Sequence, residues 1–237
     1  MAYNRDSALA VHKDYQENSK NWEYYIRSYN GGYDYMIGQY LNRYNLELDN
    51  EFNQRLANTP CDNHCKNIIQ IYSSFLFRVK ASRDFGAMSD EASLQFFLRD
   101  ADLDGNNFNS VIKQAQNYAS IYGHVFLILD KPNVLTRTRA EELNQEIRPY
   151  ISTVTPENCL DWNFERQPNG KYVLSYLKIR EEVDRKGGTY MRIWYPDKVD
   201  TIYVEDERTE PVLIDTAENL IGKIPAVILY NSKSHKR

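Results

Sequence analysis

Several stretches of the chain carry residue types able to do chemistry. Asp100, Asp102, Asp104 and Gly105 stand at the first, third, fifth and sixth positions of an EF-hand loop, where short carboxylates and a sharp glycine turn wrap a hard cation. The twelfth position is Val111 instead of the bidentate Glu that closes the coordination sphere, and a helix starts inside the loop. The stretch reads first as an acidic turn, with a calcium-responsive binding module on Asp100 to Gly105 as the alternative. Cys61-Asp-Asn-His64-Cys65 offers thiolates and an imidazole, the ligands of zinc. Cys61 and Cys65 lie one helical turn apart, no second Cys/His pair matches them, and Cys159 is remote, so the spacing favours a packed helix face. A hydrolase using Cys61 or His64 would need a base within reach and a third group to orient it. Glu181-Glu182 and Glu205-Asp206-Glu207 are adjacent on expected strands, where neighbours point to opposite faces, so they read as solvated hairpin ends and not as acid–base pairs. Gly31-Gly32 and Gly187-Gly188 lack the strand-to-helix setting and the Lys-Ser/Thr of a phosphate loop. The expectation is a non-enzyme with no cofactor and no resident metal.

The elements that would position these residues follow from periodicity. Val11, Tyr15, Asn18, Trp22, Tyr25 and Tyr29 recur at spacings of three and four, predicting a helix over Leu9 to Tyr29 that ends at Asn30-Gly31-Gly32. Tyr33, Ile37, Tyr40, Leu41 and Tyr44 form a second helical stripe, and a short helix is expected from Asn50 to Ala57. Thr59-Pro60-Cys61-Asp62 is a helix start, with Thr59 as cap and Pro60 at the first position. That helix carries the apolar face Ile68, Ile71 or Tyr72, Phe75, Leu76 and Val79 to about Lys80. Ser89 caps a short helix to Arg99. Beyond the acidic turn, Val111, Ala115, Tyr118 and Tyr122 fall at helical spacing before a Gly123 cap and a strand from His124 to Leu129.

After Asp130 the pattern changes to strands at Ile147 to Thr155, Cys159 to Glu165, Tyr172 to Val183, Thr189 to Trp194, Val199 to Glu205 and Ala226 to Tyr230. Asn169-Gly170 suggests a type I′ hairpin that sets Trp162 against Leu174. The charged run Thr136 to Arg148 reads as an exposed loop or short helix. Helices first and an antiparallel meander second make an α+β protein. The expected division is a mainly helical region over 1–130, ending in a buried strand, and an antiparallel β region of the same domain over 131–237.

Composition bounds the function. The chain has 237 residues, enough for a sizeable core, and 29 Lys and Arg against 33 Asp and Glu. That balance lacks the basic excess of a protein whose main task is to grip phosphates. Three cysteines make no disulfide framework and suit a reducing compartment. The absence of a long apolar run and of a signal-like N-terminus predicts a soluble protein with no membrane partner, made in the cytoplasm. Of 19 tyrosines, nine lie at or before Tyr44. A ring with a polar tip suits either the chain's own core or a contact between subunits. On the second reading Tyr15, Trp22 and Tyr29 are the candidate subunit interface.

A series of blocks resembles the N-terminal part of tailed-bacteriophage portal proteins. Tyr40-Leu41-Asn42-Arg43-Tyr44 precedes Phe52-Asn53-Gln54-Arg55-Leu56-Ala57-Asn58-Thr59-Pro60, and Phe75-Leu76-Phe77-Arg78 ends the next helix. Asp102-Leu103-Asp104-Gly105, Tyr122-Gly123-His124 and Phe126 to Pro132 follow, then Arg148-Pro149-Tyr150, Thr155-Pro156-Glu157-Asn158, Leu160-Asp161-Trp162 and Ile224-Pro225-Ala226-Val227. The resemblance covers nearly the whole chain and includes no catalytic fingerprint. It implies a structural virion protein at the unique capsid vertex, a cyclic homo-oligomer usually of twelve subunits. Such a ring nucleates head assembly with the major capsid or scaffolding protein, docks the terminase large subunit and later carries the head–tail adaptor. DNA passes through its channel without sequence-specific binding. Within that pattern the chain corresponds to the outer wing, with stem, clip and crown expected after Tyr230.

Overall fold

A computed structural model describes residues 3–38, 40–60, 62–132, 138–145, 147–185, 187–206 and 208–232. The chain is an α+β protein. Its helices are α1 (Arg5–Leu9), α2 (Lys13–Asn30), α3 (Gly32–Ile37), α4 (Asp49–Asn58), α5 (His64–Leu76), α6 (Ala92–Arg99) and α7 (Phe108–Tyr122), followed by strand β1 (His124–Asp130) and α8 (Arg139–Asn144). The remaining strands are β2 (Tyr150–Val154), β3 (Cys159–Arg166), β4 (Tyr172–Val183), β5 (Thr189–Trp194), β6 (Lys198–Val204), β7 (Val212–Glu218) and β8 (Ala226–Tyr230). Two antiparallel sheets result, one in the order β2-β1-β8 and one a meander β3-β4-β5-β6-β7.

Helix α7 shows how local signals build the centre. The Asn107 side chain accepts the Ser110 N–H at 3.1 Å and so caps the start. Val111, Ala115, Ala119 and Tyr122 then turn inward. Gly123, at φ +90°, adopts the left-handed conformation that a Cβ disfavours, and its N–H closes on Ala119 at 2.8 Å before the chain enters β1. Strand β1 is nearly apolar because β2 and β8 flank it while α7 covers one face and the meander the other. Phe126 and Ile128 from β1 meet Leu174, Leu177 and Trp194 of the meander, which joins the two sheets in one core. Each such side chain contributes roughly 1.5–3 kcal/mol by leaving water.

Five local expectations are corrected. The helix expected over Leu9 to Tyr29 is broken, because residues 10–12 are extended: His12 caps α2 through Nδ1 and donates its N–H to Leu160 at 2.9 Å. The second stripe is helical only over Gly32–Ile37, and the Tyr40 ring packs instead against Tyr24 and Tyr35, centroids 4.7 and 5.0 Å away. Thr59 ends α4 and spends its hydroxyl on the Arg55 carbonyl, so α5 starts at His64 under an Asn63 cap. Glu91, not Ser89, stands at the N-cap of α6. The Asn169-Gly170 turn is not type I′. Only Gly170 has a positive φ, Pro168 precedes, and the Gly170 N–H reaches Gln167, so a type I turn sets Trp162 opposite Leu177 and Phe164 opposite Leu174. Strand β7, which periodicity did not predict, completes the meander, while β8 leaves it to pair with β1.

Candidate subunit interface

Of the aromatic residues singled out on α2, Trp22 is buried while Tyr15 and Tyr29 are half-buried. Trp22 is 5% exposed and packs with Ile121 and Tyr122 of α7, with Ile69 of α5 against the same cluster. Its indole meets Tyr15 edge-on at 5.8 Å and His124 at 6.1 Å. The Tyr15 hydroxyl donates to the Glu157 carbonyl at 3.2 Å, and half-buried Tyr29 gives its own carbonyl to the Asn63 side chain at 2.5 Å. Tyr15, Trp22 and Tyr29 therefore form the platform on which α5 is seated, and Trp22 has no surface left to offer a neighbour.

The surface lies on α5 itself. Ile69 and Ser73 face the platform, while Ile68, Ile71, Tyr72, Phe75, Leu76 and nearby Val79 are 52–75% exposed. The stripe whose spacing reads as a helix face is thus turned to solvent. Five large apolar side chains on one helical face, with Val79 just beyond its end, make the kind of exposed apolar patch that marks an interaction site. Periodicity cannot separate a stripe facing the core from one facing another molecule, because both bury the same residues every three or four positions. Cys65 is exposed on this helix beside exposed His64, which removes the buried-face reading for it; Cys61 lies outside the described residues.

The acidic turn is held together by hydrogen bonds of Asp100 and Asp102. The Asp100 carboxylate pairs with Arg148 and accepts the Gly105 N–H at 3.0 Å. The Asp102 carboxylate accepts the Asp104 N–H, the Asn106 N–H and the Asn106 side-chain amide, and these donors hold its carboxyl below the usual range against the opposing effect of its burial. Leu103 takes φ +67° to let the turn close. These carboxylates hold the α6–α7 connection to β2, where the Ile151 N–H bonds the Ala101 carbonyl at 2.7 Å.

Glu181 is exposed near the end of β4, and it is also ion-paired. Arg192 bridges it at 3.0 Å and Asp130 at 2.5 Å, tying the meander to β1. Burial pushes the Glu181 carboxyl up, while Arg192 opposes that shift. Two charged groups that sequence reasoning passed over are fully buried, Lys178 and Asp200. Lys178 Nζ donates to the carbonyls of Ser7 (3.0 Å), Ala8 (3.1 Å) and Ala10, filling its three donor positions and holding the N-terminal segment on the sheet. Among the described residues no group of three or more His, Cys, Asp or Glu gathers as a metal site, and no helix is long and apolar enough to cross a membrane.

These features define a class: an α+β protein whose polar chemistry is turned inward to hold its own elements, and whose exposed helix is apolar. The chain belongs to the phage portal protein family of the SPP1 Gp6-like type, which it matches over residues 11–236. No curated protein matches it.

Proposed function

We propose that the chain is a structural subunit of the head–tail connector of a tailed phage, forming a closed ring at the unique capsid vertex through which the genome is packaged and ejected. The match over residues 11–236 carries this reading. The exposed face of α5 supports it, because a heterologous contact repeated around an axis closes a ring, and such a contact needs a large apolar patch on each subunit. In this reading Tyr15, Trp22 and Tyr29 serve the interface by fixing α5 and do not touch the neighbour. The ring is of the twelve-subunit kind, sits in the virion after synthesis in the host cytoplasm, and meets capsid or scaffolding protein, the terminase large subunit and a head–tail adaptor. A formal charge of −4 suits a channel wall that lets DNA slide, since each added cationic contact to phosphate strengthens binding.

Sedimentation and negative-stain imaging test the proposal. The purified chain, with the stem, clip and crown region expected after Tyr230 restored, is expected to form discs with a central hole. The exposed double variant Ile71→Asp/Phe75→Asp is expected to sediment as a monomer with an unchanged melting temperature. A wild-type chain that stays monomeric when concentrated, or a double variant that still closes rings, would reject it.

A further inference from the structure

Two sheets have four outer edges, and among the described residues three of them are covered or blunted. At β2, Ala101 takes the Ile151 N–H. Along β3, residues 10–12 lie against the strand, with the His12 ring stacked 4.1 Å from Trp162, and the pairing with β4 is bulged in two places. Strand β7 is bulged opposite β6 and carries Asp215 and Glu218, and Pro211 just before it receives the Tyr3 N–H. Bulges, charges and overlying chain are the usual means by which a protein blunts a sheet edge.

Among the described residues strand β8 has none of these. Ala226–Tyr230 pairs with β1 in unbroken register and contains no charged residue. The Leu129 N–H to Pro225 and the Asn231 N–H to Gly123 fix the alternation of the antiparallel ladder, so Val227 and Leu229 bond inward to β1. The N–H and C=O groups of Ala226, Ile228 and Tyr230 therefore point away from the sheet. A groove of about 940 Å³ runs beside this edge, walled on its far side by Phe164, Tyr172 and Leu174 of the β3–β4 hairpin. Val227, 66% exposed, lines it. Its charged lining residues are Lys171 and Lys223, with no carboxylate among the described residues.

We propose that β8 and this groove receive an extended segment of a partner protein that adds a strand to the sheet, alternates apolar residues, and carries acidic residues toward Lys171 and Lys223. Bare backbone groups supply affinity for any extended chain, the groove selects apolar side chains at every second position, and the two lysines select an acidic flank. A second copy of this chain is a poorer occupant: the bare strand it could offer, Ala226–Tyr230, is flanked in the sequence by Lys223 and Lys233, like charges to Lys171 and Lys223 of the groove. The site shares no residue with the α5 face and does not depend on ring closure.

The probe is a fluorescent synthetic decapeptide alternating valine and threonine between paired aspartates, titrated with the full chain by fluorescence anisotropy. Saturable binding is expected, weakened at least about tenfold, or roughly 1.4 kcal/mol, when alternate peptide nitrogens are methylated. Val227→Lys is expected to weaken binding similarly with an unchanged melting temperature. The Lys171→Glu/Lys223→Glu variant is expected to prefer a lysine-ended peptide over the aspartate-ended one. Absence of binding, equal binding of the methylated peptide, or a preference that survives charge reversal would overturn the proposal. So would a chain whose self-association disappears with Val227→Lys, because the occupant would then be another copy.

Discussion

Trp22 and Lys178 show what a single side chain does in this fold. Trp22 sits where α2, α5 and α7 meet, so Trp22→Ala leaves a cavity under the exposed helix and is expected to cost about 3–5 kcal/mol in a denaturant titration. A loss under about 1 kcal/mol would contradict the packing. Lys178→Met removes three donors at once and orphans the carbonyls of Ser7, Ala8 and Ala10. The Ala8 carbonyl left buried and unpaired costs about 1–3 kcal/mol and the other two lose their anchor, so the segment is expected to detach and limited proteolysis to cut between residues 3 and 12. Continued protection there would refute the clamp. The aromatic spacing on α2 was legible, but its destination was not: a ring suited to a partner is equally suited to a neighbouring helix. Lys178 left no trace in the pattern because Leu177 and Ile179 beside it are also buried, so no alternation marked either face. The acidic turn was legible as a set of carboxylates, whereas Arg148, 48 positions from Asp100, was not.

At the scale of elements, most helices and strands followed from periodicity and caps, and the errors fall where a side chain found a better use. Thr59 looked like a helix start and became a helix end because Arg55 offered a carbonyl. Arg55 also organises the approach to α4. It holds Glu47 through two bonds of 2.7 Å, donates to the Asn42 carbonyl at 2.8 Å and lies 4.6 Å above the Tyr44 ring. These bonds hold the Glu47 carboxyl down to about 2, against an ordinary value of 4.5. A depressed carboxylate stabilises the fold above its unfolded value and loses that contribution as pH falls through its folded value, here between 4.5 and about 2. Arg55→Ala is expected to return the Glu47 titration toward its ordinary range and to speed hydrogen exchange over residues 42–48. An unshifted carboxyl resonance in the variant would deny the clamp.

For the whole molecule, the α+β class was readable, but the pairing of the last strand was not. Ala226 to Tyr230 was predicted as a strand, yet only the folded chain shows that it reaches back across β3 to β7 to join β1. Sheet order is set by long-range packing that short-range alternation does not encode. The compact body also makes a collective statement about pH. Burial pushes the Tyr3, Tyr122 and Tyr176 hydroxyls up, with Tyr195 and Glu157 adding to the first two by hydrogen bonds. Their stabilising contributions are complete below about pH 10, the ordinary phenol value, and disappear as pH rises through the raised ones. Lys178 acts with the opposite sign, since burial lowers it and the unfolded chain keeps the proton longer. With several phenols against one amine, tyrosinate absorbance is expected to rise in a step that coincides with loss of the circular dichroism signal. A gradual rise with the fold intact would show that these hydroxyls reach solvent.

Residues 3–12 do for β3 what a hem does for cloth. His12 closes one side of that strand, Lys178 stitches the chain down behind it, and Tyr3 fastens the far end at Pro211. Trimming this segment would leave the meander fraying along a ladder that now has no reason to meet water. Shortened preparations should therefore clump through their sheets while their helices remain sound.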